Sequence, residues 1–172
     1  MLDLGVKKPH SCFMIKRFNR IKTTENNKYL QPETGRIWYK TQTRVLYADT
    51  DAAQVVYHAN YLKYFEIARA ELLRDYGISY KTIEENNIFH PIVNLEMTFH
   101  APARYDDLID IYVTPFSMEV VKFALEYKIF HSQTDQFLVK GNTVHCCILG
   151  KQVAPVDEMT KGLFQDYLDK IK

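Results

Sequence analysis

Tyr47-Ala48-Asp49-Thr50-Asp51-Ala52-Ala53-Gln54-Val55-Val56-Tyr57-His58-Ala59-Asn60-Tyr61 joins a strand-like run to a helical one, and the architecture turns on its reading. Before it, residues 37–47 alternate in the period of a strand. Trp38, Lys40, Gln42, Arg44 and Leu46 fall on one face, and Ile37, Tyr39, Thr41, Thr43, Val45 and Tyr47 on the other. If that extension persists, Tyr47, Asp49 and Asp51 share a face. After it, Tyr61, Phe65, Ala68, Leu72 and Tyr76 recur at helical spacing, flanked by Leu62, Tyr64 and Leu73, with Lys63, Ala70 and Arg74 opposite. Gly77 supplies a stop signal. A helix of that length runs about 24 Å and needs a broad sheet to cover it. Arg69 falls inside the apolar arc, where Glu66, one turn earlier, offers it an ion pair.

Downstream, residues 78–87 suit a short second helix. Strand patterns follow over 89–100, 108–115, 120–131 and 137–149, separated by short breaks that suit an antiparallel meander. Pro155 and Asp157 open a last amphipathic helix whose buried side is Met159, Leu163, Tyr167 and Leu168. The order predicts an α+β fold, one five-stranded antiparallel sheet wrapped around one long central helix. Its open edges predict at least a dimer. Residues 37–172 form this domain. Residues 1–36 read as a flexible basic tail and linker: Lys7, Lys8, Lys16, Arg17, Arg20, Lys22 and Lys28 outnumber the acids, and 23–35 is polar and turn-rich. Met14, Phe18 and Ile21 have helical spacing, so a weakly amphipathic segment meeting a membrane surface or a partner is the sharper alternative.

Composition excludes several classes. The net charge of +1 sets up no field for nucleic acid, and six glycines are too few for a glycine-built phosphate loop. No apolar run approaches the roughly 20 residues of a membrane span. Three cysteines, two of them adjacent (Cys146 and Cys147, with Cys12 far upstream), make a poor disulfide framework and point to a reducing, cytoplasmic compartment. The six histidines show no ligand spacing with carboxylates, so no metal site is expected. What remains is the quoted stretch. It sets a carboxylate pair, a histidine and a helix start within a dozen residues, the parts needed to attack a carbonyl and hold its oxyanion. Asp49 is assigned to a turn and Asp51 to the chemistry. Tyr47 reads as core or pocket wall, and the Glu66–Arg69 pair as structural.

Four blocks then carry a resemblance: Tyr47-Ala48-Asp49-Thr50-Asp51, Val55-Val56-Tyr57-His58-Ala59-Asn60-Tyr61, Glu66-Ile67-Ala68-Arg69-Ala70-Glu71, and Pro102-Ala103-Arg104-Tyr105-Asp106-Asp107. In order and spacing the chain resembles, over about residues 38–150, the hotdog-fold acyl-CoA thioesterases of the 4-hydroxybenzoyl-CoA thioesterase group, nearest its YbgC-like branch. The resemblance implies a hotdog fold, homodimers or homotetramers with sites at the dimer interface, a role in lipid metabolism, and metal-independent hydrolysis of an acyl-CoA. No cofactor is implied beyond the coenzyme A of the substrate. It implies Asp51 as the catalytic carboxylate, as base or nucleophile, with His58 and Tyr47 assisting and the backbone N–H groups of His58 and Ala59 polarising the carbonyl. Tyr57, Tyr61 and Phe65 are expected in the acyl pocket. The chain departs from the family at Gln54, where the family has glycine; Gln54 either reshapes the loop or lines the pocket. Gln54 and the basic tail motivate a second reading, a non-hydrolytic protein that binds acyl-CoA or acyl carrier protein as a scaffold.

Overall fold

The computed structural model describes residues 18–20 and 27–168. The helical spacing read at Met14 and Ile21, most of the basic tail and Cys12 lie outside the described residues. The elements are β1 (Asn19–Arg20), β2 (Lys28–Leu30), β3 (Ile37–Arg44), α1 (Tyr61–Asp75), α2 (Tyr80–Glu85), β4 (Ile88–Phe89), β5 (Ile92–Phe99), β6 (Leu108–Met118), β7 (Lys122–His131), β8 (Phe137–Cys146), β9 (Ile148–Leu149), β10 (Gln152–Val153) and α3 (Glu158–Leu168). Short 3-10 turns at Tyr47–Asp49 and His58–Asn60 lead into α1.

The main sheet is antiparallel throughout, in the order β1-β2-β3-β6-β7-β8-β5. Its five long strands are the five read from the sequence, and with α1 against them the arrangement is the hotdog fold. Two short strands extend it at the β3 edge. Residues 28–30 fall in the stretch 23–35 whose polar, turn-rich composition predicts a linker, but a hairpin turn has the same composition. Gln31 N–H donates to Arg36 O at 2.9 Å, Gly35 adopts φ +67°, and Leu30 faces Ile37 across the ladder. The strand patterns at 89–100 and 137–149 each divide. Ile88–Phe89 and Ile148–Leu149 leave the main ladder and pair with each other, with β10 on the far side of β9.

Helix α1 buries Tyr61, Tyr64, Phe65, Ala68, Arg69, Leu72 and Leu73, which is the apolar stripe plus its one charged intruder. Phe65 stacks on Tyr127 of β7 with ring centroids 4.2 Å apart. This approach requires glycine at position 141 of β8. A Cβ there would lie 2.6 Å from Glu96 O and 2.7 Å from the Phe65 ring. Helix α3 closes the same core with Leu163, Phe164 and Tyr167, Phe164 meeting Phe123 edge-on at 5.2 Å. On the other face of the sheet, Trp38 is wholly buried under Phe18 and donates its indole N–H to Gln31 Oε1 at 3.1 Å.

Candidate active site

The strand that enters the site stops earlier than its alternation suggests. After Arg44 the backbone curls: Asp49 N–H donates to Leu46 O at 3.0 Å and Thr50 N–H to Tyr47 O at 3.1 Å. Tyr47, Asp49 and Asp51 therefore do not share an extended face. Tyr47 is 78% exposed and meets Tyr105 edge-on at 5.7 Å, so within one chain it is surface and not core. Asp49 points inward and is 1% exposed, and Asp51 points out.

Asp49 is the anchor of the segment. Its carboxylate pairs with Lys63 and accepts the Tyr64 hydroxyl at 2.9 Å, while its carbonyl accepts Tyr57 N–H and Asn60 Nδ2, both at 2.9 Å. Burial alone would raise its pKa. The hydrogen bonds from Lys63 and Tyr64 and the Lys63 charge outweigh that and hold it below the usual carboxylate range. The assignment of Asp49 to a structural turn thus has a physical basis in its contacts to Tyr57, Asn60, Lys63 and Tyr64 at the α1 entry.

Between Asp49 and Tyr57 the chain forms a tight loop closed by a bridge between Thr50 and Val56. Asp51 opens the turn at its end. Its N–H donates to Val55 O at 3.0 Å, its carbonyl accepts Gln54 N–H at 2.9 Å, and its Oδ1 accepts Ala53 N–H at 2.8 Å. One carboxylate oxygen therefore braces the loop, and the other has no hydrogen bond among the described residues. Gln54 holds φ +60°, the left-handed region that favours glycine. The loop keeps the conformation the resembled family's glycine would serve, at the cost of local strain. Gln54→Gly relieves about 1 kcal/mol of it and returns part through a freer unfolded chain. A net gain of about 0.5 kcal/mol in urea unfolding is expected, and a loss of stability would contradict the account.

His58 and Ala59 open the 3-10 turn that becomes α1, and among the described residues their N–H groups have no backbone partner. The His58 ring is exposed and lies against Tyr57, centroids 4.2 Å apart, without a hydrogen bond to Asp51. The Pro102–Asp107 block packs beneath this loop. Ala103 O accepts Val56 N–H at 2.9 Å, Ala103 N–H donates to the Tyr61 hydroxyl at 3.0 Å, and Arg104 Nη1 approaches Gln54 O at 3.5 Å. Three of the four sequence blocks thus meet around Asp51. Tyr61 is 2% exposed and committed to that brace, so its side chain is core rather than an open pocket wall.

Phe65 does line a groove. Leu62, Phe65, Ile67 and Ile92 wall an apolar cleft of about 490 Å³ that starts in the first turn of α1, with Lys63 and Glu66 among its lining. Its buried end holds a polar chain that the sequence does not announce. Arg69 pairs with Glu66, as expected, but also lies 3.0 Å from His145 Nδ1, and His145 Nε2 is 2.8 Å from Thr143 Oγ1. Burial, then the Arg69 charge, lowers the His145 pKa to about 4, so the ring is neutral. Ile92 and His145 reach this cleft from β5 and β8, about 25 and 80 residues from Ile67 in the chain; only the sheet order brings them there.

Residues 45–164 match the family model described as the thioesterase-like superfamily. The chain belongs to this superfamily. Among curated members, the acyl-CoA thioester hydrolase YbgC of Escherichia coli O6:H1 is 32% identical over 95 residues, 55% of this chain and 71% of that one. The 1,4-dihydroxy-2-naphthoyl-CoA hydrolase of Crocosphaera subtropica is 34% identical over 104 residues, 59% of this chain and 76% of that one. Among solved structures, the thioesterase-superfamily fold is shared with Slr0204, a 1,4-dihydroxy-2-naphthoyl-CoA thioesterase from Synechocystis, at TM-score 0.70 and 26% identity, covering 75% of this chain and 96% of that one.

Proposed function

We propose that this chain is an acyl-CoA thioesterase that hydrolyses an acyl-CoA to a carboxylic acid and coenzyme A. The observation that carries the proposal is the pairing of superfamily membership with an outward carboxylate, Asp51, on a loop fastened to the start of α1. The thioester carbonyl oxygen takes the N–H groups of His58 and Ala59. Those donors are worth most where negative charge develops, about 3 kcal/mol each. Asp51 either accepts the proton of an attacking water or attacks the carbonyl itself to give a mixed anhydride. His58 and Tyr47 orient the water or the carboxylate, and the thiolate of coenzyme A leaves. The chemistry asks for a carboxylate and amide donors and no metal. The acyl group runs into the apolar cleft beside Phe65, with Tyr57 and Gln54 at its mouth.

A second copy supplies the cover that these exposed side chains lack. On one side of the main sheet β1 and β2 cap β3; on the other β5 ends it with Ile92, Val93 and Phe99 each 45–52% exposed. A long apolar edge of this kind pairs with another strand. The purified protein is expected to sediment at twice its 20.2 kDa chain mass or a multiple of that, and Val93→Lys to weaken the association. A wild-type protein that sediments as a monomer at micromolar concentration would end this part of the proposal.

The activity test is thiol release from a panel of acyl-CoAs of varied chain length and head group. Tight binding with no thiol release would instead favour the scaffold reading.

A further inference from the structure

Three side chains able to hold a metal converge away from the Asp51 loop, where α3 begins. His90 precedes β5, Cys147 lies between β8 and β9, and Asp157 immediately precedes α3. One donor atom from each lies within 4.8 Å of the others, and His90 Nε2 is 3.1 Å from Asp157 Oδ2. His90 and Cys147 are 8% and 1% exposed. We propose that His90 Nε2, Cys147 Sγ and Asp157 Oδ2 bind one Zn²⁺ ion, with a water as fourth ligand.

The donor set selects the metal. Zinc takes thiolate, imidazole and carboxylate at about 2.0–2.3 Å, so the ligands of a tetrahedral site lie about 3.3–3.8 Å from one another. The observed spread of up to 4.8 Å closes to that by side-chain shifts of about 1 Å. Calcium and magnesium want all-oxygen shells, and sulfur with nitrogen favours a softer ion. Charge agrees: Zn²⁺ with one thiolate and one carboxylate is neutral, which suits a largely buried site. On binding, the Cys147 thiol proton passes to solvent, and the Nε2 proton that His90 directs at Asp157 moves by exchange with solvent to Nδ1. Of the cations near the site, Arg69 pairs with Glu66 and Lys161 with Glu158.

The surroundings are partly arranged for such an ion. Asp157 Oδ1 already accepts Thr160 N–H at 2.9 Å, which orients Oδ2 toward His90, and the Asp157 backbone N–H faces the Cys147 sulfur. A cavity of about 10 Å³, the size of one water, is lined by His90, Thr160 and Tyr80. The Tyr80 hydroxyl is buried there without a hydrogen-bond partner among the described residues, and the Thr160 hydroxyl is turned toward the Asp157 carboxylate. A water on the ion gives the Tyr80 hydroxyl a partner. His90 also lines an open pocket of about 740 Å³, which gives an entry route. The ion's role is structural: it fastens α3, and with it Leu163, Phe164 and Tyr167, onto the sheet.

The experiment uses the full chain, stripped with chelator and titrated with Zn²⁺ alone. Elemental analysis after desalting is expected to find about one zinc per chain, and Tm to rise by about 5 °C or more. Co²⁺ is expected to give a thiolate-to-cobalt charge-transfer band that survives Cys146→Ser and is lost in Cys147→Ser. If Cys147→Ser does not fold, Asp157→Asn decides, since asparagine keeps the helix cap and should lose the zinc. Wild-type protein that retains no zinc and shows no Tm shift overturns the proposal, as does zinc retained equally by the Cys147 or Asp157 variant. The three side chains would then serve only as a hydrogen-bonded clasp for α3.

Discussion

Asp51→Asn is expected to lower kcat/KM for the preferred acyl-CoA at least about 100-fold while leaving thermal stability unchanged. The size follows from losing a catalytic carboxylate, which typically contributes about 10²–10⁴-fold. The unchanged stability follows from geometry. Asp51 is exposed, its one side-chain hydrogen bond among the described residues is from Ala53 N–H at 2.8 Å, and an asparagine carbonyl accepts that bond equally well. The substitution removes a negative charge and little else. Thiol-release kinetics and a thermal melt on the same preparation check both halves. Full turnover in the variant would take Asp51 out of the mechanism.

Asp49→Ala should do the opposite, costing about 2–3 kcal/mol of stability. Its carboxylate is 1% exposed, and removing it leaves the buried Tyr64 hydroxyl without its acceptor, a penalty of about 1–3 kcal/mol. The ion pair with Lys63 adds little, because the Lys63 side chain is 53% exposed. The effect depends on pH. The folded-state pKa of Asp49 is depressed, so its contribution is fully present above the unfolded value of about 3.9 and is lost as pH falls through the folded value. The gap between wild type and Asp49→Ala in urea unfolding should therefore be widest near neutrality and narrow on acidification. A gap that widens in acid would show that the carboxylate is not stabilised by folding. Activity lost in Asp49→Ala without loss of stability would mean that the two aspartates have exchanged roles.

That contrast marks how far the sequence could be read. The stripe Tyr61, Phe65, Ala68 and Leu72 is buried where its period puts it, because a long helix crossing a sheet leaves little freedom in which face turns in. The five long strands were legible for the same reason. Their partners were not. Two hydrogen bonds at Leu46 and Tyr47 curl the chain and break the alternation that would have placed Tyr47, Asp49 and Asp51 side by side. The pattern of apolar residues carries no signal for a three-residue turn. The β1–β2 extension was hidden because hairpin turns and linkers share a polar composition. At Gln54 the sequence names the wrong residue for a left-handed backbone, yet the bridge between Thr50 and Val56 imposes that backbone anyway. His90, Cys147 and Asp157 were unreadable as a group, since they are brought together only by the second sheet and the cap of α3.

The most direct measurement is release of free coenzyme A from a panel of acyl-CoAs by the purified wild-type chain, followed with a thiol reagent. The account predicts catalytic turnover, many equivalents of thiol per chain, on at least one member. Saturable acyl-CoA binding across the panel with no thiol beyond the no-enzyme control would contradict it.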